Sequence, residues 1–195
     1  MTKLRALPGR PAYPFVDQQF RHQLEMIRPS SAGLVEVPRL PEEYSLREFR
    51  AGDEHAYDDL FHLAFADEGR FPETLARTLP GGFFVVEHLP SQDLVASCVA
   101  MHGSSSPRHQ AGQLGWLVTD PSHTRRGLGR AVCAAVINRF IQEGYECPFL
   151  GTEDFRIPAI ALYLSLGWRP YIYRDDMAPR WRMIYSALGR KFDSS

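Results

Sequence analysis

One stretch of the chain, residues 114–132, constrains the fold more than any other. In it, a short apolar segment at residues 116–118 predicts a buried strand, and Asp120 with Pro121 ends that strand. Residues 125–129 then place unpaired backbone N–H groups at the first turn of a following helix. These groups, together with the positive end of the helix dipole, favour an anion. The stretch therefore predicts a cradle for a pyrophosphate.

Two common nucleotide-binding motifs do not fit this glycine-rich turn. A dinucleotide fingerprint needs a third glycine where this chain has Val132. A P-loop needs a lysine directly after its second glycine, and the two lysines of the chain are the distant Lys3 and Lys191. Both alternatives are therefore set aside.

The turn resembles motif A of the GNAT acyltransferase superfamily, which reads Arg/Gln-x-x-Gly-x-Gly/Ala after a strand. The matching residues are Thr124-Arg-Arg-Gly-Leu-Gly129, with Thr124 at the position of Arg or Gln. The resemblance implies that the loop binds the pyrophosphate of CoA mainly through backbone N–H groups. The neighbouring Arg125 and Arg126 can compensate for the contact that Thr124 does not make.

A second stretch, residues 156–168, resembles the family's motif B, written Asn-x-x-Ala-x-x-Leu-Tyr-x-x-x-Gly-Phe. Two positions depart from this pattern, because Arg156 replaces Asn and Trp168 replaces Phe. The matching residues are Ala159, Leu162, Tyr163 and Gly167. Two motifs in the expected order, with a helix and a strand between them, extend the resemblance to about residues 44–185.

The resemblance implies an α/β (α+β) fold with a mixed, mostly antiparallel sheet of about seven strands and about four helices. It also implies a V-shaped splay between the fourth and fifth strands, into which the CoA arm inserts. Residues 42–195 would form this domain, and residues 1–41, rich in Pro and Arg, would be an extension that acts as a dimerisation arm or is partly disordered.

The hydrophobic pattern gives the order strand, helix, helix, three strands, helix, strand, helix and two strands. The first strand is expected at residues 44–50 and the strand before motif B at residues 147–151. Gly144 is placed as a C-terminal cap of the motif A helix. The last two strands are expected at residues 168–173 and 181–185.

The resemblance also implies site residues. The Val118 backbone N–H is expected to face the acyl carbonyl, and Tyr163 occupies the position of the general acid, although a core aromatic is the alternative interpretation of that residue. The residues expected to bind CoA are Leu117, Val118, Thr119, Thr124, Arg125, Arg126, Gly127, Leu128, Gly129, Arg130, Arg156, Ala159 and Tyr163.

The general base is left open by the sequence. Glu153 and Asp154 are the leading candidates because they follow the splayed strand, and Glu68 and His102 are alternatives. Glu153 and Asp154 could equally bind a cationic substrate. The histidines and the aspartate at positions 55, 59 and 62 share a helix face, but they lack the spacing of a zinc helix, so a solvated face is expected and no metal is predicted.

Composition limits the other classes. The formal net charge is −1 with dispersed arginines, so no nucleic-acid surface is predicted. No segment approaches the roughly 20 apolar residues of a membrane span. The three cysteines form no Cys-x-x-Cys pair, which favours a reducing cytoplasm.

The resemblance to the GNAT superfamily implies an N-acyltransferase that moves an acyl group, most simply from acetyl-CoA, to an amine of a small molecule or protein. A homodimer is also an open prediction. A non-catalytic acyl-CoA-binding module is the alternative, because the departures at Thr124 and Arg156 would then mark lost activity. An assembly subunit that works through its N-terminal extension is a third hypothesis.

Overall fold

The computed structural model describes residues 22–65, 71–103 and 111–192. Seven strands and five α-helices follow one another in the described ranges, together with two short 3-10 turns, Ser30–Ala32 and Pro121–His123. The elements are β1 (Leu24–Ile27), β2 (Tyr44–Glu48), α1 (Glu54–His62), α2 (Phe71–Arg77), β3 (Thr78–His88), β4 (Asp93–His102), β5 (Gly112–Thr119), α3 (Leu128–Gln142), β6 (Phe149–Thr152), α4 (Ile157–Ser165), β7 (Arg169–Tyr171) and α5 (Met177–Ala187).

All seven strands form one sheet in the order β2-β3-β4-β5-β6-β1-β7. The pair β5–β6 is parallel, and every other pair in the described sheet is antiparallel. The predicted mixed, mostly antiparallel sheet is therefore confirmed. The splay is also confirmed, because the parallel pair joins the fourth and fifth strands in sheet order.

The prediction of a last strand at residues 181–185 is wrong, because these residues lie in α5. In a strand, Met183 would share a face with Trp181 and both would be buried. The structure instead exposes Met183 and buries Met177, Trp181 and Ile184, whose spacing follows the helical repeat. The helix count consequently rises to five.

The place beside β6 is filled by β1, which comes from the segment expected to lie outside the domain. Strand β1 is antiparallel to β6 on one side and to β7 on the other, and Leu24 and Met26 are fully buried. Just after it, the buried Arg28 guanidinium donates to the backbone oxygens of Leu166 and Gly33, at 2.8 and 2.7 Å. Residues 22–41 thus include part of the sheet, whereas residues 1–21 lie outside the described residues.

Helices cover the sheet from both faces. One core cluster joins the sheet to α3, α4 and α5 and includes Phe140, Ile160 and Trp181. A second, largely aromatic cluster joins β3, β4 and β5 to α1 and includes Tyr57, Phe61 and Phe83. The helix α3 lies so close to β5 that a Cβ added at Gly112 would come within 2.5 Å of the Phe140 ring. The C-terminal part of α3 is therefore held against the start of β5.

Candidate active site

A gap opens between the two central strands of the sheet. Within the described strands, β5 and β6 pair only at Gln113 with Phe149 and at Leu114 with Leu150. Beyond these pairs, residues 115–119 of β5 and residues 151–152 of β6 diverge, and we call the gap between them the wedge. Leu117 and Thr119 remain partly exposed although they lie on a central strand. Strand edges in such a gap need a hydrogen-bonding partner, which an extended ligand can supply.

A β-bulge in β5 lies at the opening of the wedge. Ser97 of β4 pairs with Val118 of β5, and Val99 pairs with Gly115. The two residues of β4 are two positions apart, whereas their partners are three positions apart, so β5 holds one extra residue. Trp116 in this segment has a φ of 54°, a left-handed conformation that is uncommon for a bulky residue. Bulges bend a strand and increase its twist, so this one turns β5 away from β6.

The hydrogen-bond pattern between β4 and β5 determines which backbone N–H groups of β5 face the wedge. The Asp120 N–H donates to the Val95 oxygen of β4 at 2.8 Å. Successive residues of an antiparallel strand direct their backbone groups to alternate sides, so the Val118 N–H also faces β4 and the Thr119 N–H faces the wedge. The structure therefore favours Thr119 over the expected Val118 as the donor to a ligand in the wedge.

The loop after β5 leads to the N-terminus of α3. Asp120 Oδ1 accepts from the Ser122 N–H at 2.7 Å, and Thr124 Oγ1 donates to the Pro121 oxygen at 3.2 Å, so both side chains shape the loop. Arg125 and Gly127 have φ values of 61° and 82°. These two left-handed residues turn the chain directly before α3 begins.

The first backbone N–H groups of α3 have no partner within the helix. Its N-cap is Gly127, which makes no side-chain cap, and the Gly127 oxygen accepts from the Ala131 N–H at 3.0 Å. The N–H groups of residues 128–130 consequently precede the first helical hydrogen bond. A Cβ added at Gly129 would lie 3.2 Å from Thr119 Oγ1, so a larger side chain would fill the space between the helix and the strand. The geometry fits a bound diphosphate.

The four arginines expected at the CoA site have different positions. Arg125 and Arg126 are exposed at the helix N-terminus, and the Arg126 guanidinium lies 3.7 Å from Glu43 and 5.7 Å from the centre of the Tyr44 ring. Arg130 Nη1 donates to Ser165 Oγ at 3.0 Å and so joins α3 to α4. Arg125 and Arg126 are the two best placed to meet a phosphate.

Arg156 lies at the N-cap of α4, on the side of the wedge that faces the end of α1. Its guanidinium carbon is 4.9 Å from the centre of the Phe65 ring and 5.4 Å from that of Phe155. Phe65 in turn contacts the Trp116 ring at 5.2 Å between centres. Arg156 thus lies among aromatic rings, away from the α3 N-terminus.

Tyr163 of α4 is buried in the core cluster shared with β6, edge-on to Trp168 at 6.4 Å between ring centres. Burial raises the pKa of its phenol well above the ordinary value, and the nearby thiols of Cys133 and Cys98 raise it further, while Arg156 opposes the shift. The phenol is consequently protonated in the neutral range. This is the state that a proton donor needs.

The candidate bases differ in their availability. Asp154 is 8% exposed, and its two carboxylate oxygens accept from Arg180 Nε and Nη2 at 2.9 and 2.5 Å. Glu153 is partly exposed and accepts one hydrogen bond from Gln23 at 3.0 Å. His102 Nδ1 lies 2.6 Å from the Tyr145 hydroxyl, and Glu68 lies outside the described residues. Glu153 is therefore more available than Asp154 to accept a proton.

Sequence reasoning missed three residues at or near the wedge. The strained Trp116 gave no signal, because a positive φ at tryptophan is not written in composition or periodicity. Thr152 is a polar residue at the end of an apolar strand, which was a visible signal. Arg180, the partner of Asp154, directly precedes the segment predicted as a strand, so its spacing from Asp176 by one helical turn went unused.

The histidine face of α1 behaves as a solvated surface. His55 lies 3.1 Å from Asp59, and the Nδ1 atom of His62 lies 2.7 Å from the Asp58 oxygen. Among the described residues, no group of three His, Cys, Asp or Glu side chains is arranged to hold a metal ion. Across the same residues, no helix combines the length and the apolar character that crossing a membrane requires.

Several known proteins are similar to this chain in sequence. The chain is 30% identical to mycothiol acetyltransferase of Kocuria rhizophila over 161 residues, which cover 74% of this chain and 53% of that protein. It is 32% identical to mycothiol acetyltransferase of Acidothermus cellulolyticus over 166 residues, or 75% of this chain and 50% of that protein. The chain thus spans about half the length of the curated relatives it matches.

Solved structures agree on the fold. Glucosamine-6-phosphate N-acetyltransferase from Arabidopsis thaliana superimposes with a TM-score of 0.56 at 16% identity, covering 68% of this chain and 96% of that one. A tandem GNAT protein from the clavulanic acid biosynthesis pathway gives a TM-score of 0.56 at 16% identity over 85% of this chain and 58% of that one. The model of the acetyltransferase (GNAT) family matches residues 39–168. The chain belongs to the acetyltransferase (GNAT) family.

Proposed function

We propose that the protein is an acyl-CoA-dependent N-acyltransferase that moves an acetyl group from acetyl-CoA to a primary amine. The observation that carries the proposal is the wedge, which leads directly to the uncapped N-terminus of α3. One extended ligand with a diphosphate at one end and a hydrogen-bonding arm at the other suits both features. The pantetheine arm and diphosphate of CoA have this form.

The chain's own residues bind and orient such a ligand. The Thr119 N–H donates into the wedge, and the N–H groups of residues 128–130 meet the diphosphate. Arg125 and Arg126 add charge at the exposed rim of the loop. Gly129 leaves room for this approach, because a Cβ there would lie 3.2 Å from Thr119 Oγ1.

The chemistry is a direct transfer in a ternary complex. The neutral amine forms a bond to the thioester carbon, and the oxyanion that develops is stabilised by a hydrogen-bond donor. The C–S bond then breaks, and Tyr163 gives its proton to the departing thiolate. We assign Glu153 as the acceptor of the amine proton because Arg180 engages both oxygens of Asp154.

The acceptor is proposed to be a small molecule with a cationic amine. The relatives named mycothiol acetyltransferase support a small-molecule acceptor. The pairing of Glu25 with Gly151 and Tyr171 places a carboxylate on the strand next to β6, in addition to Glu153. Location in the cytoplasm is supported by the free thiols of Cys98, Cys133 and Cys147.

Thermal unfolding with acetyl-CoA is the first test, with dephospho-CoA and NAD as controls. Specific binding must raise the apparent midpoint by mass action. We expect the largest rise with acetyl-CoA, and no rise at millimolar ligand would refute the proposal. Thiol release in the presence of candidate amines then separates an enzyme from a non-catalytic binding module, which would bind acetyl-CoA without turnover.

Substituting Tyr163→Phe tests the acid. If Tyr163 protonates the thiolate, we expect kcat to fall by roughly 100-fold or more while the affinity for acetyl-CoA changes little. The measurement is steady-state thiol release with binding by calorimetry. Unchanged turnover in an active enzyme would remove this role and leave Tyr163 as a core aromatic.

A further inference from the structure

Thr152 lies at the border of the wedge. It is the last residue of β6, two positions beyond the final pair with β5 at Leu150. On its other side the strand is paired with β1, where Thr152 is opposite Leu24. At this point β1 therefore covers one edge of β6, and the other edge of β6 borders the wedge.

The side chain of Thr152 points into the layer between β6 and α4. Residues two apart on a strand, and residues opposite each other on paired strands, share a face, so Thr152 is on the face of Leu150 and Leu24. Both belong to the core cluster that contains Tyr163 and Ile160 of α4. The hydroxyl is thus in the layer that holds the proposed acid.

The Thr152 hydroxyl has no hydrogen-bond partner among the residues that the structure describes. The residue is 3% exposed, and its Oγ1 makes no hydrogen bond to any residue that the structure describes. A buried polar group without a partner destabilises a fold. Valine has the same branched shape without this cost, so packing alone does not account for threonine at a position beside the wedge.

We propose that Thr152 Oγ1 is a positioning residue that hydrogen-bonds a polar group of the pantetheine arm of acyl-CoA in the wedge. This inference rests on the proposed function. A ligand that fills the wedge beside β6 supplies the partner that the described part of the chain does not provide, and a hydroxyl can either donate to a carbonyl or accept from an amide. The contact would fix the depth of the arm relative to Tyr163.

The test is the isosteric variant Thr152→Val. In the absence of ligand its unfolding midpoint is expected to rise above that of the wild type, because a buried unpartnered hydroxyl is removed. Its Kd for acetyl-CoA is expected to weaken about 5- to 10-fold, the effect of losing one hydrogen bond to a ligand. The Kd for CoA should weaken by the same factor, since the arm is common to both ligands.

Two further variants serve as rescue and control. Thr152→Ser keeps the hydroxyl and should retain the wild-type Kd even though a methyl group is lost. Tyr57→Phe removes another buried hydroxyl without a partner among the described residues, in the aromatic cluster under α1, and should leave both Kd values unchanged.

The outcomes separate this inference from the proposed function. If the wild type binds acetyl-CoA and Thr152→Val binds it equally well, the Thr152 contact is refuted and the function stands. A loss confined to acetyl-CoA, with CoA unaffected, also refutes a contact with the arm. If the wild type binds neither ligand, both proposals fall together.

Discussion

The buried ion pair between Arg180 and Asp154 is expected to be a major support of the domain. Arg180 on α5 is 1% exposed and holds both oxygens of Asp154, just after β6, while its Nη1 donates to the His22 oxygen before β1 at 2.9 Å. The hydrogen bonding of Arg180 to the Asp154 carboxylate is the main reason that the pKa of Arg180 is raised, against the opposing effect of burial. The substitution Arg180→Met keeps an unbranched side chain in place of the aliphatic part of arginine and leaves the Asp154 carboxylate without its counterion.

The size of the stability loss follows from the Asp154 charge that remains after the substitution. Removing one partner of a buried pair costs about 3–5 kcal/mol, since an uncompensated charge is left in the interior. For a protein of this size such a loss lowers Tm by roughly 6–20 °C. The double variant Arg180→Met with Asp154→Leu is expected to recover much of the loss, because replacing a whole buried pair by apolar residues is often neutral or stabilising.

Urea unfolding followed by circular dichroism measures these differences. Arg182→Met is the matched control, because Arg182 lies on the same helix with its side chain exposed, and it should change the unfolding free energy by less than about 0.5 kcal/mol. A loss in unfolding free energy of less than about 1 kcal/mol for Arg180→Met would refute the reasoning, because an exposed ion pair contributes no more than this to stability. A double variant less stable than Arg180→Met would refute it as well.

Two other predictions concern the N-terminal strand and the response to acid. Met26→Ala removes a fully buried side chain of β1 and is expected to cost about 2–5 kcal/mol in urea unfolding, whereas a cost near zero would show that β1 is dispensable. Burial raises the pKa of Asp53, but hydrogen bonds from Arg47 and the Arg50 N–H outweigh it, so the net pKa is lowered. The resulting stability is complete above the unfolded pKa of about 3.9 and is lost as pH falls through the lower folded value. Asp53→Asn should therefore have a lower free energy of unfolding than the wild type at neutral pH, and this difference should shrink as pH falls below about 4. A difference in unfolding free energy that stays constant with pH would contradict this.

Local sequence signals were enough where neighbouring residues determine the structure. The helix α3 begins at Leu128 and is followed by Gly144 in a left-handed conformation, as its glycines and apolar stripe predicted. The splay between the fourth and fifth strands, which the parallel pair β5–β6 opens, was expected from the family resemblance that the two motifs carry. In these segments the hydrophobic period and the helix caps indicate the same secondary structure, so it could be predicted without knowledge of tertiary contacts.

The end of the sheet could not be predicted in the same way, because a distant segment decides it. Residues 181–185 carry a pattern compatible with a strand or a helix, and the place of a strand beside β6 is taken by residues 24–27. A four-residue strand is too short to show a clear alternation, and its partners are more than 120 residues away in β6 and β7. Only the three-dimensional pairing reveals it.

The same pairing links the N-terminal segment to the chemistry. Gln23 donates to Glu153 at 3.0 Å, and the Tyr173 hydroxyl donates to the Gln23 oxygen at 2.8 Å, so the residue before β1 contacts the proposed base. Strand β1 also closes the edge of β6 opposite the wedge. A segment that the sequence suggested was peripheral therefore bears on both the stability of β6 and the position of Glu153, and changes in residues 22–27 should alter catalysis as well as folding.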